Sequence, residues 1–96
     1  MKIDKAAHAM YMVRFRAFIE CKKNENRGIS LKRLEELFPK WADYILSWMR
    51  WEMYGPHSLY HTKSADEGVA WYLKEHIYAM NNAEFQEYYK QHHSIR

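Results

Sequence analysis

Only three glycines and two prolines punctuate the 96 residues, and this scarcity constrains the fold more than any other feature. Sandwiches, barrels and wound α/β folds built from short strands need turn residues at every reversal. A chain with so few breakers is expected to be helical, and it reads as one compact all-α domain, a bundle of four to five helices. A chain of this length buries only about 60–65% of the surface it exposes when unfolded. Because 48% of it is apolar and 17% is Phe, Trp or Tyr, either nearly every large side chain packs inside or some apolar surface meets a partner.

Turn signals and apolar spacing place the helices. Residues 4–22 hold no Gly or Pro and form the first, which ends in the polar loop Lys22-Lys23-Asn24-Glu25-Asn26-Arg27-Gly28. Ser30 caps a short second helix over 31–38, with Leu31, Leu34, Leu37 and Phe38 on one side. Pro39 suits the first turn of a third, over 39–54, which stops at Gly55-Pro56. The next residues, 55–63, are the least regular. Ser64-Ala65-Asp66-Glu67 has the S-x-x-E spacing of a capping box and predicts a fourth helix over 65–80. Asn81 and Glu84 repeat that logic for a fifth over 83–92, with the remainder fraying.

Three of these helices carry more than one apolar stripe. On the first, Ile3, Ala6, Ala7, Met10, Val13, Ala17, Phe18 and Cys21 share one arc while Met12, Phe15 and Ile19 share another, so it is central or buried on two sides. Arg14 falls inside the first arc, where an unpaired guanidinium costs several kcal/mol (order of magnitude) to bury. Glu52 projects among Trp41, Ile45, Trp48 and Met49. Two misplaced charges of opposite sign predict a buried Arg14–Glu52 pair. Trp41, Tyr44, Trp48 and Trp51 make an aromatic ridge on the third helix, with Tyr44 and Trp51 nearest its polar edge. On the fourth, Val69, Tyr72, Leu73, Ile77 and Met80 form an inner stripe that includes His76. Trp71 and Tyr78 point the other way beside Glu67, Lys74 and Glu75, a second candidate contact unless the last helix covers them.

Charge is uneven. Residues 1–40 hold ten Lys and Arg against five Asp and Glu, a surplus of +5, whereas residues 41–96 hold five against seven, or −2. The basic part suits nucleic acid or an acidic protein, through Lys22, Lys23, Arg27, Lys32, Arg33, Lys40 and Arg50. On the third helix Lys40, Asp43, Ser47 and Arg50 align at i, i+3, i+7 and i+10, a strip that could enter a major groove as a helix-turn-helix reader. Asp43 in that strip would repel phosphates, and the helix offers Trp and Met in place of the usual Arg, Asn and Gln.

The chemistry of catalysis is not legible. There is no Gly-rich phosphate loop, no G-x-S-x-G, no H-E-x-x-H and no paired cysteine and histidine in a motif, so an enzyme is not expected. His57-x-x-x-His61 has the spacing of two metal ligands on one helical turn, but no cluster completes a tetrahedral set. No metal and no cofactor are expected. A single cysteine makes no internal disulfide, and six methionines suit a reducing compartment, so the cytoplasm is expected. Arg14 and Arg16 interrupt the apolar stretch after Lys2 and Lys5, and no secretion signal or membrane span is read.

Together these features point to a small non-enzymatic protein that docks on a macromolecule, first a protein, through a mixed basic and aromatic surface, as adaptor or inhibitor. Its size and composition are similar to those of small phage- and mobile-element-encoded proteins. The docking residues expected are Tyr44, Trp51, Trp71 and Tyr78 as anchors, with Arg16 and the basic loop around them. The competing expectation is a nucleic-acid-binding regulator using the basic half. A homodimer would use the same aromatic patches, and no membrane partner is expected.

Overall fold

A computed structural model describes residues 4–66 and 68–93. The expectations for Lys2, Ile3, Glu67 and the chain end beyond His93 lie outside these residues. Asp4 opens α1 (Lys5–Lys23), its carboxylate accepting from the backbone amides of Ala6 and Ala7, which have no partners inside the helix. A turn at Asn24–Asn26 leads to β1 (Ile29–Ser30). Ser30 then caps α2 (Leu31–Leu37) by accepting from the Arg33 amide. A 3₁₀ turn, Pro39–Trp41, precedes α3 (Ala42–Trp51), so the third helix is shorter than the predicted 39–54. α5 (Asn82–His92) begins with the full reciprocal box between Asn81 and Glu84.

The region from 60 to 78 overturns the all-α expectation. In place of an irregular segment and a fourth helix over 65–80, the chain forms β2 (Tyr60–Ala65), β3 (Gly68–Leu73) and one short turn of helix, α4 (Glu75–Tyr78). Ala65 pairs with Gly68 and Tyr60 with Leu73 in an antiparallel hairpin, and β1 pairs along the other edge of β3 through Ile29–Trp71 and Ser30–Ala70. The sheet order is β1-β3-β2. Among the described residues the fold is thus mixed, a three-stranded antiparallel sheet with five α-helices.

The physical reason lies in the run Val69-Ala70-Trp71-Tyr72-Leu73. Five consecutive apolar or aromatic residues satisfy an i, i+3, i+4 pattern and a buried strand equally well, and periodicity cannot arbitrate so short a run. Gly68 decides it. At φ 102° it sits in the left-handed region, which glycine enters without steric cost, and it closes a tight reversal. Ser64 therefore faces Val69 across the hairpin and caps no helix.

Asn26 lengthens the short β1 edge. Its side-chain amide donates to the Leu73 carbonyl at 2.9 Å while its oxygen accepts from the Leu73 amide at 2.7 Å, imitating a strand neighbour. Gly28 keeps this loop close, since a Cβ there would lie 2.9 Å from the Trp71 carbonyl oxygen.

α1 is central. Val13, Ala17, Phe18 and Cys21 join Ile45, Met49, Tyr60, Trp71, Leu73 and Ile77 in one apolar cluster. α5 packs along α1, where Phe85 stacks on Phe18 at 4.2 Å and lies 5.8 Å from Phe15 of the second arc, and Tyr89 meets Tyr11 edge-on at 5.0 Å. Met12, in that same arc, stays exposed. No helix among the described residues is long and apolar enough to cross a membrane.

Candidate functional site

The largest exposed aromatics gather on α3 and the turn after it. Ile45 and Met49 face the core, which turns Tyr44 and Trp51 outward, and the chain end beyond the helix presents Tyr54. Tyr44 is 55% exposed, Trp51 70% and Tyr54 73%. Behind them Trp41, Tyr44 and Trp48 brace one another, with Tyr44 stacked on Trp48 at 5.8 Å and Trp41 tilted against Trp48 at 5.7 Å. The ridge predicted from spacing is divided: Trp41 and Trp48 are half-buried, and Tyr44 and Trp51 face solvent. Tyr54 is not among the sequence candidates: the expected helix runs to residue 54, whereas α3 ends at Trp51 and leaves Tyr54 on the turn beyond it. Its signal was the aromatic just inside the stop.

A cleft of about 390 Å³ opens between the end of α3 and the hairpin, lined by Arg50, Met53, Tyr54, Thr62, Lys63, Ser64 and Val69. It brings two cations and two hydroxyls to one edge of the aromatic surface, and none of its lining residues is acidic. Neither Thr62 nor Lys63 is a sequence candidate, since the spacing predicts irregular chain over 55–63 where the structure forms β2.

The other candidates are dispersed. Trp71 is fully buried in β3 and Tyr78 is half-buried, so the contact patch expected on a fourth helix does not exist. Strand geometry, with Trp71 beside Ile29 and Thr62 on the neighbouring strands, puts its ring into the core. His76, expected inside, is exposed on α4. Lys22 donates to the Tyr78 carbonyl and lies 4.8 Å from the Tyr78 ring centroid, and Arg16 pairs with Glu20 at 2.9 Å. Lys23 and Lys32 are exposed. Arg27 and Arg33 meet Lys63 around a separate hollow at Gly28 and Ser30, where Arg33 also reaches Glu36 at 3.7 Å. Lys40, Asp43, Ser47 and Arg50 are all exposed. The basic residues do not form one continuous footprint.

The histidines do not sit as the i, i+4 spacing implied. His57 lies in the loop and stacks on His92 at 3.8 Å, whereas His61 is on β2 against Tyr72 at 5.2 Å. Among the described residues no three His, Cys, Asp or Glu side chains gather as a metal group. Burial and the neighbouring His57 and His93 hold the His92 imidazole below its ordinary pKa.

Arg14 and Glu52 meet at the centre of the molecule. Arg14 Nη1 lies 2.9 Å from Glu52 Oε1 and donates to Tyr89 Oη at 2.8 Å, while Nη2 donates to the Trp48 carbonyl at 3.0 Å. His93 Nδ1 approaches the same carboxylate oxygen at 3.2 Å, and Tyr60 Oη donates to the Arg14 carbonyl. The Glu52 carbonyl accepts from the Leu59 and Tyr60 amides, so the loop carrying Tyr54 closes on this network. The pair anchors the ridge from behind.

Burial also sets an alkaline limit. It pushes the Cys21 thiol up from the ordinary 9.0 to about 12 and raises the Tyr60 and Tyr89 phenols. These groups fold neutral, so their contribution is complete below pH 9 and is lost as rising pH ionises them in the unfolded chain first. The urea midpoint is expected to hold through pH 8 and to fall between pH 9 and 11, with Cys21→Ala removing the thiol's share of that fall. A flat midpoint across pH 9–11 would show that water reaches these groups.

Compared with known proteins, the chain matches no family model, no curated protein and no solved structure.

Proposed function

We propose that this is a non-enzymatic binding protein that docks on a protein partner through the ridge of Tyr44, Trp51 and Tyr54, flanked by Arg50 and Lys63, and acts as an adaptor or inhibitor. The observation that carries the reading is the grouping, on one helix and its trailing turn, of three of the four large exposed hydrophobics among the described residues. Tyr and Trp dominate interface hot spots because they bury large area at low entropy cost, and a basic rim favours an acidic patch around the partner's pocket. A buried, unpaired cysteine and the absence of any other cysteine support a reducing compartment, the cytoplasm.

The test is affinity capture from the native host, with bound species identified, by the wild type and by Trp51→Ala and Tyr54→Ala variants. A protein held at 0.5 M salt and bound roughly 30-fold more weakly by either variant, on the order of 2 kcal/mol per anchor, is the expected result. Recovery of nucleic acid alone, released steeply as salt rises, would overturn it in favour of a regulator reading DNA or RNA through the basic residues.

A further inference from the structure

A third concave feature lies on the far side of Trp41 from the exposed ridge residues, between the first turns of α1 and the 3₁₀ turn. It is a groove of about 520 Å³, within the range of about 300–1,000 Å³ that holds small organic ligands. Its floor is apolar: Ala9 and Met12 from α1 face Phe38 and Trp41. Among the described residues, Met12 is the one large exposed hydrophobic that α3 and its turn do not carry. Three basic side chains complete the lining, Lys5 and His8 on α1 and Lys40 on the turn, and no acid among the described residues lines it. Lys40 Nζ sits 5.5 Å from the Trp41 ring centroid, an attraction that holds the cation at the groove. The nearest acid in sequence, Asp4, has Oδ1 engaged by the amides of Ala6 and Ala7.

We propose that this groove binds a small carboxylate with an apolar body, of the medium-chain fatty acid type. The lining selects the class by elimination. A neutral apolar molecule would cover the floor and gain nothing from the exposed cations at the rim. An inorganic anion would meet the cations and leave Met12, Phe38 and Trp41 in water. A cationic amphiphile would be repelled at the rim. One apolar chain ending in one anion satisfies both parts, laying about 25 cal/mol of burial per Å² on the floor and its carboxylate beside Lys5 and Lys40. Tyr44, Trp51 and Tyr54 take no part in this lining, and Trp41, which braces Tyr44 at 6.1 Å, stays unsubstituted in the test, so the groove and the ridge are read by separate variants.

Octanoate, 1-octanol and octylammonium, the two ions below their micelle concentrations and the alcohol below its solubility limit, titrated into ¹⁵N-labelled protein, test the assignment. Octanoate is expected to shift the Ala9 and Met12 amides and the Trp41 indole saturably, at least tenfold more tightly than octylammonium or octanol. Lys5→Gln with Lys40→Gln is expected to weaken octanoate about tenfold and leave octanol unchanged. Met12→Glu, which places a like charge on the exposed floor, is expected to remove octanoate binding while the remaining spectrum is retained. Equal affinity for the three probes would overturn the proposal by showing a nonselective apolar patch. So would shifts confined to Trp51 and Tyr54, or saturation by an acidic peptide alone.

Discussion

Glu52→Ala is expected to destabilise the protein by about 3–5 kcal/mol, the usual consequence of leaving one partner of a buried ion pair alone. Arg14 and Glu52 are both nearly inaccessible, and a domain of this size has a total stability of only about 5–15 kcal/mol. At roughly 4–8 °C per kcal/mol, the thermal midpoint should drop by about 12 °C or more. The guanidinium would keep Tyr89 Oη and the Trp48 carbonyl but lose the only acid it touches among the described residues. The apolar double replacement Arg14→Met with Glu52→Leu should recover most of the loss, because removing both charges ends the desolvation cost. Arg14 Nε and Glu52 Oε2 have no hydrogen-bond partner, so part of that cost is uncompensated in the native pair. The checks are denaturant unfolding and a double-mutant cycle. A single-variant loss under about 1 kcal/mol would mean that Arg14 reaches water on its own.

This pair was legible in the sequence because a charge inside an apolar arc is an error unless it has a partner, and only Glu52 was misplaced in the complementary way. Helices with local signals were legible too. Ser30 and Asn81 each carry an oxygen that a first-turn amide needs, and such caps act within three residues. The hairpin was not. Its pairing is non-local for β1, whose two residues reach β3 some forty positions away, and no window of sequence contains that contact. Within the hairpin, the S-x-x-E spacing at Ser64 imitated a cap while Gly68, the residue that reverses the chain, was taken for a helix interior. The ridge followed the same division. Spacing grouped Tyr44 and Trp51, but Tyr54, Thr62 and Lys63 reach the site only because Glu52 folds the loop back onto the hairpin.

Trp71→Ala tests that correction directly, with an expected loss of about 3–5 kcal/mol for removing a buried Trp. Were residues 65–80 a helix with Trp71 on its outer face, the same substitution would stay within about 0.5 kcal/mol. In β3 the ring is fully inaccessible, its backbone carbonyl lies 3.7 Å from Cys21 Sγ, and its residue pairs with Ile29 and Thr62 on both neighbouring strands. The cavity would thus open where all three strands meet α1. Trp71→Phe should cost less, since it retains most of the apolar volume and deletes an indole N–H that has no partner. The paired control is Trp51→Ala, which removes an exposed ring of the same kind. It is expected to leave the unfolding midpoint within about 2–4 °C and to act on partner capture. Opposite outcomes at the two tryptophans, stability lost at Trp71 and binding lost at Trp51, would separate the aromatic residues that make the core from those that meet a partner. Equal and small losses at both would return Trp71 to the surface and remove the sheet from the fold.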